Sequence, residues 1–157
     1  MRCIALVFLA LFCLVAARPA HAQANPASRC AKLGTDSTLL PVPESLAAQV
    51  NAVFGTAMPP GMVAATTVYR CAQGHVLVCT TGANLPCGPA NTSRVPGEGA
   101  VAWCKQNPDS DYIPAYATGH DTIFIWRCRK GAAEVEKQVF KVDAQGFVKR
   151  FWKVLPG

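Results

Sequence analysis

Cys30, Cys71, Cys79, Cys87, Cys104 and Cys128 constrain this chain more than any other feature. They are the cysteines that remain if the N-terminus is an export signal. Met1-Arg2 is a short basic start, Cys3–Ala17 is an uncharged apolar run, and Ala20-His21-Ala22 supplies small residues at a peptidase site. The run is shorter than the roughly 20 residues of a membrane-spanning helix, and the three-part layout is that of a secretory signal cleaved after Ala22. The expected compartment is periplasmic or extracellular, with no transmembrane segment in the mature chain. An even set of cysteines in a small exported protein reads as a disulfide framework. The closest spacing is eight residues, from Cys71 to Cys79 and from Cys79 to Cys87, so no C-x2-C zinc or redox pattern exists. Six cysteines allow 15 pairings, and the spacing alone leaves them open.

Residues 23–42, rich in Ala, Pro, Ser and Thr, read as a loose leader, tethered if Cys30 is paired, and 43–157 as one disulfide-tied domain. Pro43, Glu44 and the apolar series Leu46, Val50, Val53 predict a short helix ended by Gly55. Met58–Gly61 reads as a rigid turn. Two β-branched runs, Ala65–Cys71 and His75–Thr81, flank Gln73-Gly74 and predict a hairpin. With a two-residue turn, Ala72 faces His75 and Cys71 faces Val76. Val78 then shares a face with Cys71 while Cys79 points the other way, so each cysteine needs a distant partner. Thr80–Gly99 is loop, with Cys87 as its staple. Glu98–Asn107 predicts a helix turning Val101 and Cys104 inward. Asp121–Cys128, Ala132–Val142 and Phe147–Leu155 predict a three-strand antiparallel meander. The fold class expected is α+β: a mainly antiparallel, disulfide-stapled sheet of hairpins with one or two short helices.

One internal echo stands out. Tyr69-Arg70-Cys71 and Trp126-Arg127-Cys128 are each followed, two residues on, by Gly74 and Gly131. Either the two strands lie side by side with Cys71 bonded to Cys128, or the likeness is coincidental.

From about Val53 to Trp152 the chain resembles a group of small exported proteins of Gram-negative bacteria without a characterised function. The resemblance rests on "VYRC-x-x-G", "VLVC", "GANLPCG", "ANTSR", "WC", "IPAYATGHDTI", "WRC" and "VDAQGF". It implies one exported domain and assigns no active site. The Tyr69–Gly74 opening is also similar, more distantly, to the hairpin of β-barrel inhibitors of animal-type lysozyme, whose Ser-Gly-containing inhibitory loop has no counterpart here.

Catalytic patterns are sparse. Ser93, His120 and Asp111 are the paper candidates for a small hydrolase, but no nucleophile elbow frames Ser93. Adjacent His120 and Asp121 would point apart in an extended chain. Asp109-Ser110-Asp111 begins like a calcium loop but has His120 where the twelfth-position glutamate belongs. No metal site or cofactor is expected, and the enzyme reading leans negative.

Charge is more informative. The mature chain carries 13 basic and 9 acidic residues, and from Thr122 onward there are eight basic and three acidic. This excess, interleaved with aromatics, suggests a surface for an anionic partner: an envelope polymer or an acidic protein, with nucleic acid disfavoured by compartment. The candidate binding residues are Asn91 and Arg94 in the long loop, His120, and Arg127, Lys149, Arg150 and Trp152 in the C-terminal segment. The expected activity is non-catalytic, inhibitor-like binding in the cell envelope; a hydrolase using His120 is the alternative.

Overall fold

The computed structural model describes residues 25–82 and 86–156. The expected signal peptide and its cleavage point lie outside the described residues. Among these residues the architecture is α+β, with a four-stranded antiparallel sheet, a separate two-stranded sheet and five short α-helices. Among the described residues no helix is long and apolar enough to cross a membrane.

The expected leader is ordered from Asn25 onward. The Asn25 side chain accepts from Ala27 N (2.9 Å), Pro26 occupies the first turn, and helix α1 (Pro26–Leu33) follows. Strand β1 (Asp36–Pro41) comes next. Composition hid both, because α1 is held less by an apolar stripe than by its cap and by Cys30, which is fully buried. A 3-10 turn at Glu44–Leu46 leads into α2 (Ala47–Phe54), closed by Gly55 in the left-handed region (φ 65°) as the sequence predicts. The supposed turn at Met58–Gly61 instead starts helix α3 (Pro60–Thr66), with Pro60 at the position where a missing N–H costs nothing.

Strands β2 (Thr67–Ala72) and β3 (His75–Thr80) form the expected hairpin in the expected register, Ala72 opposite His75 and Cys71 opposite Val76. Tyr69, Cys71, Val76 and Val78 pack into one core with Val42, Val50 and Val63, while Cys79 sits in a different cluster. The disulfides are Cys30–Cys71, Cys79–Cys87 and Cys104–Cys128. Cys71 thus reaches a distant partner, whereas Cys79 bonds eight residues ahead because the loop folds back across its own face. The Cys71–Cys128 alternative is overturned.

The echo has another meaning. Helix α4 (Glu98–Gln106) carries Cys104, a short helix α5 (Ala115–Thr118) follows, and strands β4 (Phe124–Arg129) and β5 (Ala132–Gln138) form the second hairpin. Each half is a cysteine-bearing helix bonded to the first strand of a hairpin. Four residues after each helical cysteine, a carbonyl accepts from the turn glycine: Gly74 N to Gly34 O (2.7 Å) and Gly131 N to Pro108 O (2.9 Å). Five residues after it, a side chain accepts from the other turn residue: Gln73 N to Thr35 Oγ1 (3.1 Å) and Lys130 N to Asp109 Oδ1 (3.2 Å). Both turns place a non-glycine residue and then glycine at positive φ, Gln73-Gly74 and Lys130-Gly131, as two-residue hairpin turns of this hand require. β1 runs antiparallel beside β2, and Ser110–Ile113 does the same beside β4, through Cys128 N to Ser110 O (2.7 Å) and Ile113 N to Trp126 O (2.8 Å). Tyr69–Cys71 and Trp126–Cys128 are equivalent stretches of two units built on one plan.

Within α4 the inward pair is Ala100 and Cys104, one turn apart, and Val101 is exposed, contrary to expectation. Gly99 is required for close approach, since a Cβ there would lie 2.5 Å from Ala117 O. The expected third strand of the meander does not form. After β5 the chain turns at Asp143–Gly146, bridges Val142 to Val148, makes a 3-10 turn at Lys149–Phe151, and crosses to pair β6 (Lys153–Val154) with β3. The reason is parity. Phe147 and Trp152 are an odd number of residues apart, so a continuous strand would send them to opposite faces. Both instead pack on Arg70.

Burial holds the Tyr69 phenol above its usual range. The neutral form is thus favoured in the folded state; this contribution is intact below about pH 10 and is lost as pH rises through the folded value. Thermal stability should fall above about pH 10, and Tyr69→Phe should lessen that fall. An identical alkaline decline in the variant would show that Tyr69 does not contribute to it.

Candidate functional site

Arg70 organises the C-terminal segment. Its side chain is fully buried and pairs with Asp143 and Gln145 Oε1. The guanidinium lies over the Phe147 ring at 4.3 Å and the Trp152 ring at 4.5 Å, a desolvated cation–π arrangement. Nε is buried and has no hydrogen-bond partner among the described residues. Burial lowers the Arg70 pKa from its ordinary value, and Asp143 opposes that shift. Asp143 Oδ1 also accepts from Gln145 N (2.9 Å) and Phe147 N (3.1 Å), which shapes the turn. Sequence reasoning singled out neither Arg70 nor Asp143 as a pair. The only signal is that "VYRC" and "VDAQGF" are both among the stretches on which the resemblance given above rests.

With Phe147 and Trp152 anchored inward, the 3-10 turn between them pushes Lys149 and Arg150 into solvent. Lys153 follows on β6, and Lys141 lies alongside through Lys149 N to Lys141 O (3.0 Å). These four exposed cations form no ion pair among the described residues, whose pairs are Arg29–Asp36, Arg70–Asp143, Arg127 with Glu134 and Glu136, and Arg129–Asp111.

Three clefts border the segment. One of about 480 Å³ separates the β2–β3 turn from Asp143–Gln145 and reaches Lys149. One of about 430 Å³ is lined by Phe124, Trp126, Phe140, His120 and Arg150. One of about 410 Å³ is bounded by Arg150 and Lys153. Among the described residues, the sole carboxylate lining any of the three is Asp143, already engaged by Arg70.

The sequence candidates separate accordingly. Lys149 and Arg150 belong to this surface. Arg127 does not present a free charge: it bonds Glu136 at 2.5 Å. Trp152 is buried as part of the Arg70 sandwich rather than displayed. Asn91 caps its own loop by accepting from Ser93 N (3.0 Å), and its backbone bridges Thr122. Arg94 lies 5.0 Å over the Phe124 ring. The long loop is tied by Cys79–Cys87 and by Ala90 N to Gly146 O (2.9 Å), so the two candidate regions adjoin. His120 is exposed at the rim of the aromatic cleft. Ser93 Oγ accepts from Val95 N (3.0 Å) and Asp111 pairs with Arg129 (2.9 Å); among the described residues the structure shows no hydrogen bond from either to His120. Lys141 and Lys153 were not singled out by sequence, because their relevance depends on the chain leaving the meander.

Compared with protein-family models, curated proteins and solved structures, the chain matches none.

Proposed function

We propose that this protein is a non-catalytic binding module of the cell envelope that engages an anionic polymer or acidic protein through Lys141, Lys149, Arg150 and Lys153. The observation that carries this reading is the gathering of four exposed cations, none ion-paired among the described residues: Lys149 and Arg150 on a turn whose flanking Phe147 and Trp152 both pack on Arg70, and Lys141 and Lys153 beside it. Such a preorganised surface binds with little further ordering cost. Three disulfides suit an oxidising compartment, where lipopolysaccharide is an available polyanion.

Affinity for purified lipopolysaccharide should fall steeply as salt rises. Lys149→Glu and Arg150→Glu should each weaken it about fivefold or more, on the scale of one charge contact at an anionic surface. Arg127→Glu should change it less than about twofold, since that cation is already neutralised. Salt-insensitive binding, or equal losses at Arg127 and Arg150, would overturn the reading.

A further inference from the structure

The cleft bounded by Arg150 and Lys153 exposes a larger share of apolar surface than its two neighbours. Phe54 and Met58 from the end of α2 and the segment after it, with Phe151 from the 3-10 turn, are its large apolar lining, and Thr56, Thr80, Thr81 and Gly82 line it too. All three apolar side chains are only half-buried, so among the described residues part of each wall is left uncovered. At about 410 Å³ the groove falls within the range of small-molecule sites, roughly 300–1,000 Å³. Its charge is one-sided. Arg150 and Lys153 flank it, and among the described residues no acidic side chain lines it. The Arg150 guanidinium is held near the Phe140 and Phe151 rings, at 5.4 and 5.9 Å.

An apolar trough with cations at its rim is complementary to one class of molecule: a single apolar chain ending in an anion. A polyanion without an acyl chain would leave Phe54, Met58 and Phe151 wet, and a neutral hydrocarbon would leave the cations unused. We propose that this groove binds the acyl chain of a fatty-acid anion, with its carboxylate between Arg150 and Lys153. The proposal shares Arg150 and Lys153 with the reading above and adds a site for which that reading has no use.

Octanoate, decanoate and dodecanoate, each below its micelle concentration, should be titrated against the mature protein by calorimetry. Affinity should rise about three- to fourfold per added methylene, the increment expected for burying each CH₂. Decanol should bind more weakly than decanoate. The double variant Arg150→Gln, Lys153→Gln should lose about tenfold for decanoate and less than twofold for decanol. Thr81→Trp, which fills part of the groove, should weaken both ligands. The chain-length series needs no variant, so a misfolded mutant cannot rescue the proposal. Affinity independent of chain length, or decanol and decanoate bound equally by the parent, would overturn it. Binding to anionic vesicles or lipopolysaccharide without binding to monomeric decanoate would also overturn it, while leaving the surface reading intact. Chain-length-dependent binding of decanoate with no salt-sensitive polyanion binding would do the reverse.

Discussion

Arg70→Ala should destabilise the protein by about 3–5 kcal/mol, the cost of breaking a buried ion pair by removing one partner, and should lower the melting temperature by roughly 10–20 °C. Three losses coincide. Asp143 is left without its counter-charge. Phe147 and Trp152 lose the cation between them. A cavity opens where a fully buried side chain stood. Arg127→Ala is the internal control, because Arg127 occupies the equivalent position of the second hairpin. There the guanidinium is part-exposed and pairs with glutamates on the neighbouring strand, so the expected cost is about 0–1 kcal/mol. Urea midpoints of the two variants against the parent would check the contrast. Similar losses in both, or a loss below about 1.5 kcal/mol for Arg70→Ala, would mean that the aromatic pair closes over the gap.

A second comparison separates charge from shape. Replacing a buried ion pair by apolar groups of similar size is often neutral, whereas breaking it is not. The double variant Arg70→Met, Asp143→Asn should therefore recover much of the stability lost by Arg70→Ala. The asparagine keeps an oxygen for Gln145 N and Phe147 N, which Asp143 serves in the native turn. Recovery would identify Arg70 as a positioning residue, one that sets the 3-10 turn and so aims Lys149 and Arg150. Polyanion affinity should then follow the turn rather than the charge of Arg70, which has no exposed surface to offer a ligand.

What was legible in the sequence follows from range. The β2–β3 register depends on period-two alternation and a two-residue turn, both local, and it came out residue for residue. Gly55 ended its helix for an equally local reason. The failures share a long-range cause. α1 looked like leader because its anchor is a bond from Cys30 to Cys71, 41 residues away. The third meander strand failed because Phe147 and Trp152 answer to Arg70, a residue on another sheet. The echo was visible, but adjacency and equivalence predict the same local sequence. Only the partners of the two cysteines, each on the helix of its own half, distinguish them. The candidate surface divided along the same line. Charge clustering points to Lys149 and Arg150, which are exposed and without an ion pair among the described residues. It points equally to Arg127, whose pairing with Glu134 and Glu136 across a strand pair is not legible from the count of charges.

Removing the disulfides one pair at a time should rank their contributions by the chain each one closes. Loop-closure entropy grows with the logarithm of loop length, which places Cys30–Cys71 at about 4 kcal/mol, Cys104–Cys128 at about 3.5 and Cys79–Cys87 at about 2.5. The corresponding separations are 41, 24 and 8 residues. Cys30→Ala with Cys71→Ala is expected to be the most damaging, and it also unties α1 from the sheet. The smallest bridge has a second role that the ranking does not capture. Cys79 and Cys87 pack with Phe147 and Trp152 in one cluster, next to the Arg70 sandwich. Urea midpoints for the three double variants, each with native-mass confirmation of the other two bridges, would test the order. If Cys79→Ala with Cys87→Ala costs as much as opening Cys30–Cys71, chain entropy is not the controlling quantity there. The sulfurs would then be acting as core, wedged against the aromatics that hold Arg70, and this variant should weaken polyanion binding along with stability. If the order follows loop length, the short bridge serves mainly to restrain the loop, and protease cleavage within residues 80–97 should rise while polyanion affinity is kept.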